Sequence, residues 1–385
     1  MPGSFTWRAP TRVVFGSGRV DVLGQEVAAA GSRALLVTDA ALAANPAVGG
    51  RALAALKAAG VETAVFDELG AEPTEAVVLA GVAAARAARP DVVVALGGGS
   101  AIDTAKMVAL VLALGGSPLD HVRAAPAEPE LLPLVAVPTT AGTGAETSIG
   151  AVVTNPATGR KTVLAHWAYL PRVAILDPEL TTGLPPSLTA ATGMDAYAHA
   201  IDVLHSSRPN PFNDALAFHT VRTVHTQLRR AVSDPGDIAA RGEMLATACS
   251  MGFALSTSPY GIIHALGHSL GARHHLHHGR CVALLTPHGM RWNLTICGAR
   301  YAETARRAGL AAWTDSDAAA ADALIDATEA LLQALGLPRR LAEVGVSAGD
   351  LGVMAEDAMQ DIGAAFNARR PESAAELESL YSLAL

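Results

Sequence analysis

The chain has 385 residues, of which 50% are apolar, 17% charged and 4% aromatic, and its net charge is −8. Length and apolar content exclude a disordered chain and point to two domains in close contact. The acidic balance, with no dense basic stretch to offset it, excludes a nucleic-acid-binding or anionic-membrane surface.

Met1 to Pro10 lacks an apolar core segment, so no signal peptide is expected. The run Val108 to Leu114 is too short to span a bilayer. Cys249, Cys281 and Cys297 are odd in number and far apart, which reads as reduced thiols in a cytoplasmic protein.

The first half alternates strand and helix patterns. Arg12 to Phe15 is a short β-rich run closed by Gly16 and Gly18, and Arg33 to Val37 is an apolar run ending at Thr38 and Asp39. Helical composition follows at Leu53 to Ala59, a strand pattern at Glu62 to Phe66, and helical composition again at Glu75 to Ala88. Asp91 to Leu96 reads as a buried strand followed at once by three glycines, and Leu134 to Val137 as another that stops at Pro138. Fully apolar strands in a βαβα rhythm indicate a mostly parallel sheet covered by helices. A hairpin is expected with arms at Ile149 to Thr154 and Lys161 to Leu164, joined by a turn holding Asn155, Pro156 and Gly159. Arg172 to Leu176 is the last clear strand, and Pro185 and Pro186 punctuate the chain after it. From there Ser187 to Leu204, Pro211 to Ala231, Asp237 to Leu255 and Ala318 to Leu335 read as helices. The expected organisation is an α/β domain over residues 1–185 and an all-α domain over 186–385.

Two loops in the first domain suit phosphate. Gly97-Gly98-Gly99-Ser100 joins a strand to a helix, and Ser100 and Asp103 have capping-box spacing, so the helix is expected to start there. Free glycine N–H groups at a helix N-terminus suit a pyrophosphate, although a plain strand–helix turn has the same pattern. Thr139-Thr140-Ala141-Gly142-Thr143-Gly144 follows the next strong strand, and such loops at the carboxyl ends of parallel strands lie where ligands bind in open α/β folds. Neither is the GxGxxG fingerprint. Asp39, at the end of a strand, suits the ribose hydroxyls of NAD or, more blandly, a turn or helix cap.

The second domain carries a metal pattern. Seven of the 13 histidines lie between His264 and His288. Asp195 and His199 are four apart on a helix, as are His264 and His268 on a later one, and His278 follows in a loop before Gly279. A carboxylate and several imidazoles suit Fe²⁺ or Zn²⁺, either of which acts as a Lewis acid toward an alcohol or aldehyde oxygen. His274, His275 and His277 are further ligand candidates by proximity alone, and spacing does not select the final set.

The strings GGGSAIDTAK (97–106), PTTAGTGAE (138–146), GMDAYAHAID (193–202) and HALGHSLGARHHLHHG (264–279) resemble, in order and over nearly the whole chain, the signature segments of the iron-containing, or group III, alcohol dehydrogenases. The resemblance implies a dinucleotide-binding α/β domain followed by an all-helical metal-binding domain. It implies that Asp195, His199, His264 and His278 bind the metal, Fe²⁺ first and Zn²⁺ second. His268 is implied to be a non-ligand histidine placed for substrate contact or proton transfer. Gly98, Gly99, Ser100, Thr139, Thr140 and Thr143 are implied to line the coenzyme, and Asp103 is counted with them. Asp39 is implied to meet the ribose, favouring NAD(H) over NADP(H), and Lys161 to be the basic residue near the nicotinamide. Two departures stand out. His277 occupies the place where the family often has proline, and Asp361-Ile362-Gly363 with Asn367-Ala368-Arg369 replaces a Cys-containing segment ending in Asn-Pro-Arg.

The expected activity is hydride transfer between NAD(H) and a small alcohol or aldehyde, in a homodimer or larger homo-oligomer without nucleic-acid or membrane partners. A maleylacetate-reductase-like enzyme without metal is disfavoured by the intact Asp and His set. An NAD- and metal-dependent sugar-phosphate cyclase or lyase, like dehydroquinate synthase, is disfavoured because no Lys/Arg cluster accompanies the metal motifs.

Overall fold

The structure, a computed structural model, describes residues 4–70, 72–122, 128–155, 159 and 161–385. Two compact units emerge, residues 9–184 and residues 185–385 together with 4–8. The signal-peptide reading of Met1 to Pro10 falls partly, and Pro156 of the expected turn wholly, outside the described residues.

In the first unit the strands are β1 (Arg12–Phe15), β2 (Arg33–Val37), β3 (Glu62–Phe66), β4 (Val92–Gly97), β5 (Leu134–Pro138), β6 (Gly150–Thr154), β7 (Lys161–Ala165) and β8 (Val173–Leu176). Its helices are α1 (Leu23–Ala28), α2 (Ala40–Ala44), α3 (Arg51–Ala58), α4 (Glu75–Ala88) and α5 (Gly99–Leu114). Six strands pair in the order β1-β8-β5-β4-β2-β3, every pair parallel, while β6 and β7 form the separate antiparallel hairpin. Successive strand residues point to opposite faces, and both faces are covered. Leu35, Val37, Val93, Ala95 and Ala136 pack with Val78, Val82 and Ile102 of α4 and α5. Leu36, Val92, Val94, Val135 and Val137 pack on the other face with Leu23, Val27, Ala52 and Leu56 of α1 and α3. Two-sided burial is why these strands read as unbroken apolar runs, each large side chain contributing roughly 1.5–3 kcal/mol.

Strand order places the candidate coenzyme loops. The chain leaves β2 for β3 on one side and returns to β4 on the other, a topological switch point between β2 and β4. Ligands in open α/β folds bind outside the carboxyl ends of strands at such a point. Asp39 follows β2, the glycine loop follows β4, and Thr139 to Gly144 follow β5.

The second unit is helical: α6 (Pro186–His205), α7 (Pro211–Thr223), α8 (Arg229–Ser233), α9 (Ile238–Leu255), α10 (Ile262–His274), α11 (His278–Ala308), α12 (Asp317–Ala334), α13 (Leu351–Met359), α14 (Ile362–Phe366) and α15 (Ala374–Ala384). The run expected as one helix over Pro211 to Ala231 is interrupted by a π-type turn at Val224–Leu228. From Thr189 to His205 every residue of α6 is buried, so this helix is the centre of the unit. Residues 4–8 join this unit: Trp7 Nε1 donates to Asn213 Oδ1 at 2.9 Å, and its ring packs on Phe212 and Phe253. Among the described residues no helix is long and apolar enough to cross a membrane.

Candidate metal centre

Asp195, His199 and Asp202 fall at i, i+4 and i+7 on α6 and share one face. That face meets the start of α10, whose N-cap, Gly261, offers no side-chain acceptor. Distant groups take its first amides instead. Asn367 Oδ1 accepts from Ile262 N at 3.2 Å, and the Asp202 carboxylate accepts from Ile263 N at 3.3 Å and His264 N at 3.2 Å. A buried carboxylate at a helix N-terminus answers both the open N–H groups and the helix dipole. Asp202 Oδ2 also lies 2.8 Å from His264 Nδ1, and the Asp202 carboxyl is held below its usual range because His205 and His264 outweigh the cost of burial. His264 therefore donates from Nδ1 and turns the lone pair of Nε2 away from Asp202.

That lone pair meets Asp195. Donor atoms of Asp195, His199 and His264 lie within 4.8 Å of one another. Asp195 Oδ1 is 3.9 Å from His199 Nε2, 3.4 Å from His264 Nε2 and 3.4 Å from His278 Nε2. The His199 and His264 rings stack at 4.3 Å between centroids, and the His264 and His278 rings lie 5.4 Å apart.

A cation fits these donors. Ligands about 2.0–2.2 Å from an ion in a tetrahedron are about 3.3–3.6 Å from each other, close to two of the three Asp195 separations. Asp195 Oδ1 and His264 Nε2 are buried without a hydrogen-bond partner and face each other, so that a proton or a metal ion is needed between them. Burial alone would lower the His264 imidazole, yet Asp195 and Asp202 push it up to about 9, and the histidines hold the Asp195 carboxyl well below its usual range despite burial. The field at this point favours positive charge, proton or metal. His278 is 24% exposed against 2–8% for the other three side chains, so the site opens on its side, as a catalytic metal site requires.

His278 is not in a loop: it is the first residue of the 31-residue α11. Gly279 explains the local packing, since a Cβ there would come within 2.3 Å of Ala191 O on α6, so only glycine brings the two helices this close. His268, one turn beyond His264, points its Nδ1 at Asp361 Oδ2 at 2.8 Å, and its ring lies 6.0 Å from His264 and 5.1 Å from His278. Sequence reasoning passed over Asp202, although its i+7 spacing from Asp195 was visible. Asp202→Asn is expected to weaken metal binding about 10–100-fold, because the amide cannot hold the His264 tautomer as firmly. Metal titration of the stripped protein checks this, and unchanged affinity would sink it.

In the first unit the two phosphate-type loops meet. A Cβ on Gly98 would come within 3.3 Å of the Thr140 side chain, and one on Gly99 within 2.8 Å of that of Thr143. Thr139 N donates to Gly97 O at 3.0 Å. The α5 start lacks the expected box: Gly98 is the N-cap, with no side-chain cap. Asp103 instead accepts from Val152 N at 3.0 Å, and buried Lys106, which the sequence reading passed over, donates to Ser148 O at 2.8 Å and Gly150 O at 2.6 Å. Both thereby tie α5 to the hairpin. Burial pushes Asp103 up to about 6 and Lys106 down to about 8. Asp39 caps α2, accepting from Leu42 N at 2.9 Å, and Lys161 Nζ is ion-paired with Glu72 at 2.7 Å.

The donor set defines a metal-binding protein, and the loops at the β2/β4 switch point have the form of a nucleotide site. The chain belongs to the iron-containing alcohol dehydrogenase family. Residues 10–178 match the family model described as iron-containing alcohol dehydrogenase, and residues 189–385 the one described as Fe-containing alcohol dehydrogenase family, C-terminal. It is 35% identical to a 1,3-propanediol dehydrogenase of Klebsiella pneumoniae over 98% of each chain. Its 38% identity to the probable alcohol dehydrogenase EutG of Escherichia coli takes in 66% of this chain and 62% of that one. A solved 1,3-propanediol oxidoreductase superposes with a TM-score of 0.96 at 34% identity, covering 100% of both chains.

Proposed function

We propose that the chain interconverts a small alcohol and its aldehyde with NAD(H), at Fe²⁺ held by Asp195, His199, His264 and His278. The convergence of imidazoles from α6, α10 and α11 on Asp195 Oδ1 carries this reading. Bound there, Fe²⁺ supplies Lewis acidity at the substrate oxygen, and NAD(H) supplies or accepts hydride. Asp195 contributes the negative charge of the donor set, Asp202 fixes the His264 tautomer, and His268 exchanges the proton that accompanies hydride transfer. Short diols and hydroxyaldehydes head the substrate set, since relatives 33–35% identical include a 1,3-propanediol dehydrogenase and a lactaldehyde reductase. A cytoplasmic homo-oligomer is part of the proposal; buried thiols at Cys249, Cys281 and Cys297, none joined in a disulfide, support the compartment. The test is an NADH-linked screen of small aldehydes before and after chelation. Turnover that chelation removes and Fe²⁺ restores is expected; full turnover by stripped protein would overturn the reading.

NAD(H) preference rests on Asp39 beside the β2/β4 switch point. A carboxylate there accepts from ribose hydroxyls and repels a 2′-phosphate. Asp39→Gly should shift kcat/KM toward NADP(H) by at least about tenfold, equivalent to about 1.4 kcal/mol. Glycine is tolerated at an N-cap at a cost of a few tenths of a kcal/mol, so α2 survives the exchange. An unmoved coenzyme ratio would reduce Asp39 to its capping role.

A further inference from the structure

The segment 361–371 departs from the family pattern, and the metal centre leaves its role open. Its helix, α14, lies against α10 and grips it at both ends. Asn367, just past the carboxyl end, accepts from Ile262 N, and Asp361, the N-cap, reaches His268. The fit is close. A Cβ on Gly363 would come within 2.4 Å of Gly261 O and within 2.9 and 3.0 Å of two Tyr260 ring carbons. Gly363 therefore lets the backbone of α14 press on the segment that leads into α10.

The two oxygens of Asp361 have separate tasks. Oδ1 accepts from Gly363 N at 2.8 Å, capping α14, and Oδ2 lies 2.8 Å from His268 Nδ1. Burial opposes its charge, but His268 and the Gly363 amide hold the carboxyl below its usual range, so it acts as an acceptor and His268 Nδ1 as the donor. The His268 ring is also confined by neighbours: Tyr260 meets it edge-on at 5.2 Å, and His278 stacks on it at 5.1 Å.

From this geometry we infer that Asp361 is a positioning residue, which fixes His268 in one orientation and one tautomer and leaves Nε2 as the nitrogen that exchanges the substrate proton. The inference rests on the proton-exchanging role proposed for His268. No described contact joins Asp361 to Asp195, His199, His264 or His278; its partners are the Gly363 amide, the Tyr260 hydroxyl and His268, and of these only His268 is placed to exchange a proton. A residue that orients a general acid–base is worth about as much as the group it orients, because a wrong tautomer presents a proton where a lone pair is needed.

Asp361→Asn is the discriminating variant. Its amide oxygen still caps Gly363, while its NH₂ faces His268 Nδ1 and selects the opposite tautomer. kcat should fall about 10²-fold, on the scale of a lost general acid–base, with KM little changed. Metal content and thermal midpoint should match the wild type, and His268→Ala with Asp361→Asn should be no slower than His268→Ala alone. Asp361→Ser, which keeps an oxygen for the cap, carries the same expectation of non-additivity and serves if the first variant folds poorly. A slow His268→Ala beside a full-rate Asp361→Asn overturns this inference alone, as do losses that multiply in the double variant or loss of metal in Asp361→Asn. A full-rate His268→Ala overturns the role of His268 and this inference with it.

Discussion

His264→Ala is expected to leave the protein with almost no retained metal and to lower kcat/KM by at least about 10³-fold, the largest effect of any single exchange proposed. His264 is the donor most tightly defined by its surroundings: its main-chain N–H and its Nδ1 both go to Asp202, and its Nε2 stands 3.4 Å from Asp195 Oδ1. Alanine keeps the backbone contact but removes one of the imidazoles around Asp195. The remaining donors cannot close around an ion from that side, and the buried Asp195 carboxylate loses a positive neighbour in the metal-free state. Three measurements define the outcome. Metal analysis after dialysis should find little iron or zinc, and the NADH-linked rate should fall to near background. The thermal midpoint, which added Fe²⁺ should raise in the wild type because the ion binds only the folded state, should no longer respond. Full metal content together with full turnover would remove His264 from the ligand set.

His268→Ala should behave differently although His268 lies only one helical turn away. Turnover should fall about 10²-fold while metal content stays at the wild-type level. The reason is directional. His268 Nδ1 is committed to Asp361, a different carboxylate from the Asp202 that organises His264. Asp195 Oδ1 has close approaches to His199, His264 and His278, and His268 does not share them. On the proposed roles, removing the side chain takes away a proton-exchanging group, together with a stacking surface for His278, and leaves the donors in place. Metal loss in this variant would make His268 a ligand and place the role of His278 in question. The pair of substitutions thus separates two histidines that sequence spacing treats alike.

Much of the architecture was legible before folding because it depends on local burial. Asp91 to Leu96 reads as a buried strand because both faces of β4 are covered, and β2 and β5 read the same way for the same reason. The loss of strand patterns after Pro186 marks the start of the helical unit, because a period near 3.6 needs no distant partner to be visible. The spacing of Asp195 and His199, and of His264 and His268, places each pair on one face by helix geometry alone.

Tertiary packing decided the rest. Strand order, which sets Asp39 beside the glycine loop at the β2/β4 switch point, depends on which strands pair across the sheet, and no local period encodes that. The capping-box spacing of Ser100 and Asp103 misled because burial beneath the hairpin gave Asp103 a better donor in Val152 N. His278 read as a loop residue, yet it opens α11, where the close approach to Ala191 requires Gly279 next to it. Asp202 and Asp361 find His264 and His268 across 62 and 93 residues of sequence. The chain's local pattern determined which side chains could serve as donors. Only packing of α6, α10, α11 and α14 determined which of those donors converge, because a ligand set depends on separations of a few ångströms between residues that share no local period.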